Sequence, residues 1–333
     1  MKRVWQFISV WAVALVFSSV LSHAAVRRLR IKADAKGYRV FGSQAGKPVA
    51  TLYGTSPAFD GLDWDQVADF LGGGIDNWGI AGSSASEWEM MQLSSPDTPR
   101  TFIVVSPVDL NDYYLGDFRA QIVPFVKTVQ ELSEAGADWS FSERMLSQYP
   151  LTFIRKLFPT AGRSDGVMVG IRIMLLKLMG RSSPHDEVGV LRPTFGSIGP
   201  NMIKERLTDY DPGRLRRRLE LMRAGCQGKQ WFDGPKKHAL LRMVRWAAAR
   251  GKVTLIVMPM SPIYQREFMK PMATREFEQA LADAQAPGAN LPMIRIDKLP
   301  VLHNNDVFWD FVHLNMDGQK IATAALLTEL KKL

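Results

Sequence analysis

The chain has 333 residues, of which 46% are hydrophobic and 23% charged, and this composition excludes an intrinsically disordered protein. The single cysteine, Cys226, excludes an intramolecular disulfide. The formal net charge of +9 suits anionic lipid headgroups or an acidic polysaccharide, whereas the sequence contains no nucleic-acid recognition motif, so we expect no nucleic-acid partner.

The first 24 residues predict an export segment. Lys2 and Arg3 precede an uncharged, mostly apolar run at 4–21, and small residues follow at 22–24. This pattern fits an uncleaved anchor that spans the membrane as a helix, or a signal peptide that is removed. A buried helix of a cytoplasmic domain is the third interpretation. We therefore expect the protein at the periplasmic or extracytoplasmic face of the membrane, or secreted if the segment is cleaved.

A basic linker at 25–37 leads into one domain at 38–333. The first part of this domain alternates extended and helical segments. The three glycines at 72–74 end a predicted helix. The run RTFIVVS is apolar on both faces, as a central parallel strand should be. The pattern predicts strands ending near 54, at 75–78 and at 100–106, and helices at 63–71 and 85–93.

The regular alternation is interrupted at about 113–234, which we interpret as a helical insertion. Within it, 167–179 is both very apolar and basic, a composition typical of an interfacial helix, a partner-docking face or a core helix. The insertion is predicted to contain helices at 118–135, 142–157, 167–179 and 214–224.

The alternation resumes in the last hundred residues. A proline-containing loop at 259–264 follows the fourth strand, at the strand end where open α/β sheets bind ligands. The predicted elements are helices at 235–250, 274–286 and 316–333 and strands at 252–258 and 292–296. The sequence thus predicts an α/β fold: a three-layer, doubly wound, flavodoxin-like and mostly parallel five-stranded sheet, with a helical insertion and an N-terminal membrane helix.

Three candidate catalytic residues lie beside predicted strands and helices. Ser56 follows the first strand, and Asp310 and His313 precede the final helix. An imidazole can remove the proton of a serine hydroxyl, while a carboxylate fixes its tautomer and stabilises the imidazolium. The order Ser, Asp, His therefore indicates nucleophilic acyl chemistry.

The arrangement resembles the SGNH/GDSL hydrolase superfamily over 48–110 and 252–333. Its polymer-modifying, membrane-associated members, which act in polysaccharide O-acetylation and in D-alanyl transfer to teichoic acids, are the most similar. The matching blocks are Gly54-Thr55-Ser56, Asn77-Trp78-Gly79-Ile80-Ala81-Gly82-Ser83-Ser84, Val105-Ser106-Pro107-Val108-Asp109-Leu110 and Asp310-Phe311-Val312-His313-Leu314-Asn315.

The resemblance implies roles for individual residues. Ser56 is the expected nucleophile, His313 the base and Asp310 its partner. Backbone N–H groups of Ser56 and Gly82 are expected in the oxyanion hole, with a side chain of Asn111 or Asn77. The chain departs from the pattern twice: Thr55 replaces an aspartate, and Val108 stands where the third block offers an asparagine.

These observations predict an exported acyltransferase or esterase, acetyl being the expected acyl group, that modifies a cell-surface or secreted polysaccharide without a cofactor. The resemblance implies a multi-spanning membrane acyltransferase as partner if the reaction is a transfer. Trp78, Tyr264 and Trp309 are predicted to bind substrate. Two alternatives stay open: an inactive relative that binds polymer or scaffolds a complex, and a metal site at His303, Asp306, Asp310 and His313.

Overall fold

The computed structural model describes residues 2–28, 40–41, 48–79, 82–92, 95, 97–113, 203–285 and 291–333. The predicted helices at 118–135, 142–157 and 167–179 lie outside these residues.

A twisted sheet forms the centre of the described domain. Five strands are parallel, and a two-residue edge strand, β1, pairs antiparallel with β3. The sheet order is β1-β3-β2-β4-β5-β6, so the parallel strands follow the flavodoxin-like order. The α/β prediction is confirmed. The strands are β1 (Val40–Phe41), β2 (Ala50–Tyr53), β3 (Ile75–Asn77), β4 (Arg100–Val105), β5 (Lys252–Val257) and β6 (Met293–Arg295).

Helices cover both faces of the sheet because its central strands are apolar on both sides. In β4 and β5 every residue after the first is buried. One core cluster packs under α2, α3 and α10, and the other under α4, α7 and α9. The described helices are α1 (Lys2–Arg28), α2 (Ser56–Gly61), α3 (Trp64–Leu71), α4 (Ala85–Gln92), α5 (Pro107–Leu110), α6 (Pro212–Gly225), α7 (Pro235–Ala248), α8 (Pro262–Phe268), α9 (Pro271–Gln285) and α10 (Met316–Leu330).

Capping residues fix the ends of two helices that matter for the site. The Asn315 side chain accepts hydrogen bonds from the N–H groups of Asp317 and Gly318, as its position before the last helix predicts. Asp63 caps α3 in the same way, and Gly72 ends that helix with φ of 70°. The Asn315 cap thus fixes where the loop before α10 ends and the helix begins.

Three of the described α-helices were not predicted: α2, α5 and α8. The sequence suggested a loop at 259–264, but α8 begins at Pro262, where proline's missing N–H costs nothing. The Ser261 hydroxyl caps it by accepting a hydrogen bond from the Tyr264 N–H.

The N-terminal segment is helical over Lys2–Arg28. Within the described residues, no helix combines the length and the apolarity needed to cross a membrane. The predicted membrane-spanning helix is therefore not found.

The described end of the predicted insertion packs on the core. Leu207, Tyr210 and Cys226 are buried in the same cluster as α2 and α10, and the inner face of α6 lies against it. This contact places α6 beside the loop that precedes α10.

Candidate active site

The candidate nucleophile lies where β2 turns into α2. Thr55 is the extended residue before the helix, and Ser56 is its first residue. A Cβ atom at Gly54 would come within 2.6 Å of the Ala58 Cβ, so only glycine permits so tight a turn. β2 lies between β3 and β4, at the point where the strand order reverses, which is the usual ligand edge of such sheets. Ser56 is only partly buried and so can meet a substrate.

The loop before α10 holds the acid and the base. An antiparallel bridge joins Phe308 to Leu314, and the Trp309 N–H donates to the His313 carbonyl. Asp310 Oδ1 accepts hydrogen bonds from the N–H groups of Val312 at 2.9 Å and His313 at 2.8 Å. The loop is thus closed on itself and its carboxylate has a fixed orientation.

The structure brings Ser56, His313 and Asp310 together in one hydrogen-bonded chain. His313 Nε2 is 2.7 Å from Ser56 Oγ, and His313 Nδ1 is 2.8 Å from Asp310 Oδ2. Because a carboxylate only accepts, Nδ1–H donates to Asp310 and Nε2 is left to accept the serine proton. This arrangement can activate a serine hydroxyl as a nucleophile.

Burial and charge act in opposite directions on this pair. Burial lowers the pKa of His313, but the Asp310 carboxylate and its hydrogen bond raise that pKa above its ordinary value. Burial raises the pKa of Asp310, and the charge and hydrogen bonds of His313 together with the Val312 N–H more than offset it, so the Asp310 pKa is lowered. Asp310 therefore stays ionised wherever His313 titrates.

Two backbone N–H groups, those of Ser56 and Gly82, are the candidates for the oxyanion side. The N–H of Ser56 belongs to the first turn of α2, where N–H groups have no intrahelical acceptor. Gly82 has φ of 71°, a conformation that glycine adopts without strain.

The two asparagines considered for the oxyanion hole have different environments. Asn111 is engaged elsewhere: its Nδ2 donates to the Lys229 carbonyl, and its Oδ1 accepts from the N–H groups of Tyr113 and Trp231. It fastens the segment 229–231 to the end of α5. Asn77 is buried and accepts from the Gly79 N–H, while its Nδ2 finds no hydrogen-bond partner among the described residues.

A buried acid braces the turn that carries the nucleophile. Asp109 accepts hydrogen bonds from the Thr55 hydroxyl at 2.6 Å and from both the N–H and the hydroxyl of Ser106 at 2.7 Å. Burial raises the pKa of Asp109 to about 6 in spite of these bonds. Sequence reasoning gave this residue no role, although the spacing Ser106-x-x-Asp109 is that of a capping box. Val108, beside it, is half-buried and apolar.

The three aromatic residues predicted to bind substrate differ in burial: two lie in the core, and one lies half-buried against His313. Trp78 and Tyr264 are each 2% exposed and lie in the core, where a polymer does not reach them. Trp78 Nε1 donates to Asp76 there. Trp309 is half-buried and stacks on His313, with ring centroids 4.9 Å apart and planes inclined by 14°.

The residues considered as metal ligands have other partners. Asp310 and His313 bind each other, Asp306 accepts from the Thr208 hydroxyl, and His303 Nε2 lies 2.8 Å from the Asp297 carbonyl. Over the described ranges, no cluster of three or more His, Cys, Asp or Glu side chains could hold a metal ion.

A separate cavity of about 390 Å³ lies along the same carboxyl edge, beyond β5. Its walls include Met258, Met260 and Phe277, with Glu278 and Lys298 among its polar groups. The three residues of the hydrogen-bonded chain are not among its lining, so the cavity is distinct from the candidate active site.

Comparison with known proteins adds no relative: no protein-family model matches the chain, and the search of curated proteins finds no match.

Proposed function

We propose that this protein is an SGNH-type serine acyltransferase or esterase that acts on a cell-surface or secreted polysaccharide. The observation that carries the proposal is the continuous hydrogen-bonded chain from Ser56 through His313 to Asp310, which joins residues 257 positions apart. Such a chain forms only if the fold brings β2 and the loop before α10 together.

In the first half-reaction, Ser56 Oγ attacks the carbonyl carbon of an acyl ester while His313 Nε2 takes the hydroxyl proton. The oxygen of the tetrahedral intermediate accepts hydrogen bonds from the N–H groups of Ser56 and Gly82. As the intermediate collapses, the bond to the leaving alcohol breaks and His313 gives that alcohol its proton. The acyl group, which we propose is acetyl, remains on Ser56.

In the second half-reaction, His313 removes a proton from the acceptor, whose oxygen attacks the acyl-serine. A sugar hydroxyl as acceptor gives transfer, and water gives hydrolysis. For transfer, the family resemblance supports a multi-spanning membrane acyltransferase as the source of the acyl group. The basic and apolar N-terminal sequence supports an extracytoplasmic location.

A second candidate is a catalytically inactive protein that binds polymer or scaffolds a complex. Val108 supports it, because the third block then lacks a side-chain donor for the oxyanion. The two candidates differ in whether Ser56 is required.

The test is the replacement Ser56→Ala in the full-length chain, with turnover of a simple acetyl ester and acylation of the polymer in cells as readouts. We expect turnover to fall by about 10³-fold or more, because the variant lacks the hydroxyl that His313 activates and that accepts the acyl group. Ser86→Ala, on α4, is the matched control and should leave activity unchanged. Unchanged polymer acylation in Ser56→Ala, with the protein still present, would favour the scaffold.

A further inference from the structure

Arg218 of α6 lies against the acid of the candidate triad. Its Nη1 is 3.8 Å from Asp310 Oδ2, which is ion-pair distance but too long for a hydrogen bond. The Arg218 side chain is 33% exposed and that of Asp310 16%, so solvent screens the pair only in part.

Two aromatic rings hold this guanidinium in place. Its carbon lies 5.0 Å from the ring centroid of Tyr210 and 5.8 Å from that of Trp309, both within the range of cation–π contacts. The Tyr210 hydroxyl donates to the Trp309 carbonyl, and Arg214 packs on the same tyrosine at 3.8 Å. Since Trp309 stacks on His313, one series of contacts joins α6 to the catalytic imidazole.

The charged groups that act most strongly on His313 come from three elements and are carboxylates. Asp310 lies in its own loop, Asp60 in α2 and Asp109 in α5, and each carboxylate favours the protonated imidazole. An imidazole must be neutral to accept a proton. Arg218 brings the opposite charge to within 3.8 Å of Asp310 Oδ2, the oxygen that is 2.8 Å from His313 Nδ1, and thereby offsets part of the field that protonates His313.

We propose that Arg218 is a positioning residue that favours the neutral, base-competent form of His313 and orients the His313–Asp310 pair through Trp309. The inference rests on the proposed function, in which His313 is the general base. The two variants Arg218→Met and Arg218→Lys separate charge from packing, since the second keeps the positive charge.

The experiment measures the titration midpoint of His313 by NMR in full-length protein carrying ¹³C-labelled histidine, with the resonance assigned by its loss in His313→Gln. We expect the midpoint to move to higher pH in Arg218→Met and to stay close to the wild-type value in Arg218→Lys. The acid limb of the kcat/KM profile for an acetyl ester should move with it. Arg216→Met is the control, because Arg216 points into solvent and pairs with Glu220.

An unchanged or lowered midpoint in Arg218→Met would overturn the proposal, and so would an equal shift in Arg218→Lys, which would assign the effect to packing. The NMR titration needs no turnover. If the wild-type protein neither hydrolyses an ester nor acylates the polymer, the proposed function fails while the titration still decides the influence of Arg218 on His313.

Discussion

The loop 308–315 and the turn 106–111 lie at the same carboxyl edge of the sheet but contribute differently to the site. The loop presents an acid and a base whose side chains are joined to each other and to Ser56. In the turn, Val108 stands where the third block offers an asparagine side chain as a hydrogen-bond donor to the oxyanion. The polar side chains of Asp109 and Asn111 form hydrogen bonds with other groups of the protein. In the function we propose, the acid–base half of the site is built from side chains, and the oxyanion half from backbone N–H groups.

Under the proposed function, this difference is what allows an incomplete motif to support chemistry. General base catalysis needs an imidazole that is correctly oriented and neutral, and no backbone group can replace it. A developing oxyanion needs only directed donors, which the first turn of a helix and a glycine turn can supply. The two halves should therefore respond unequally to substitution.

The largest effect is expected in the acid–base half. Asp310→Asn should lower kcat by about 10⁴-fold, because an amide in place of the carboxylate favours the wrong tautomer of His313. The measurement is steady-state turnover of an acetyl ester. Asp306→Asn is the control, since Asp306 lies nearby but bonds to Thr208 instead. A decrease of less than about tenfold would mean that Asp310 does not orient the base.

In the oxyanion half of the site, we expect a substitution at Val108 to raise kcat. Val108→Asn should raise kcat by about tenfold, below the 10²-fold or more that an optimised donor contributes, because the surroundings are not arranged for it. Val108→Ala is the matched control for the lost side chain. If the asparagine variant is no faster than the alanine variant, the backbone hole is already sufficient and Val108 is not a deficiency.

Substitution of Asp109 is expected to have the smallest effect on catalysis. It should, however, change the free energy of unfolding measurably. Burial raises its pKa to about 6 from 3.8, so between these values the folded protein binds more protons than the unfolded chain. Its contribution to the free energy of unfolding therefore falls as pH rises through this window. Asp109→Asn can keep the bonds to Thr55 and Ser106 without the buried charge.

We compare the free energy of unfolding of Asp109→Asn with that of the wild type at each pH. This difference should change in favour of the variant by on the order of 2–3 kcal/mol when the pH rises from about 4 to about 7. Urea unfolding at both pH values measures this difference, and effects of other groups cancel in the comparison. Asp97→Asn, at a carboxylate that is 75% exposed, is the control. An equal pH dependence in wild type and Asp109→Asn would mean that Asp109 is not held protonated by burial.

The sequence was sufficient for features that depend on local patterns. Apolar runs located β4 and β5, and Asn315 located the start of α10, to within a residue or two. The Gly54-Thr55-Ser56 turn and the Asp310-x-x-His313 spacing each follow from a strand or helix boundary, and the three side chains named from them lie within hydrogen-bond distance of one another.

Features that depend on contacts between distant segments were not predictable in this way. The engagement of Asn111 with residues 229–231 and the approach of Arg218 to Asp310 need the tertiary fold. Trp78 and Tyr264 follow strands at the ligand edge, as binding residues often do, but their rings turn into the core. Strand position alone does not show which way a side chain after the strand will point.

The most direct test of the central claim is the reaction of the full-length protein with a serine-reactive fluorophosphonate, followed by mass spectrometry of the labelled peptide. The account predicts one covalent adduct on Ser56 that is lost in His313→Gln, because the hydroxyl reacts only when the imidazole takes its proton. Absence of an adduct on Ser56, or labelling that does not depend on His313, would contradict it.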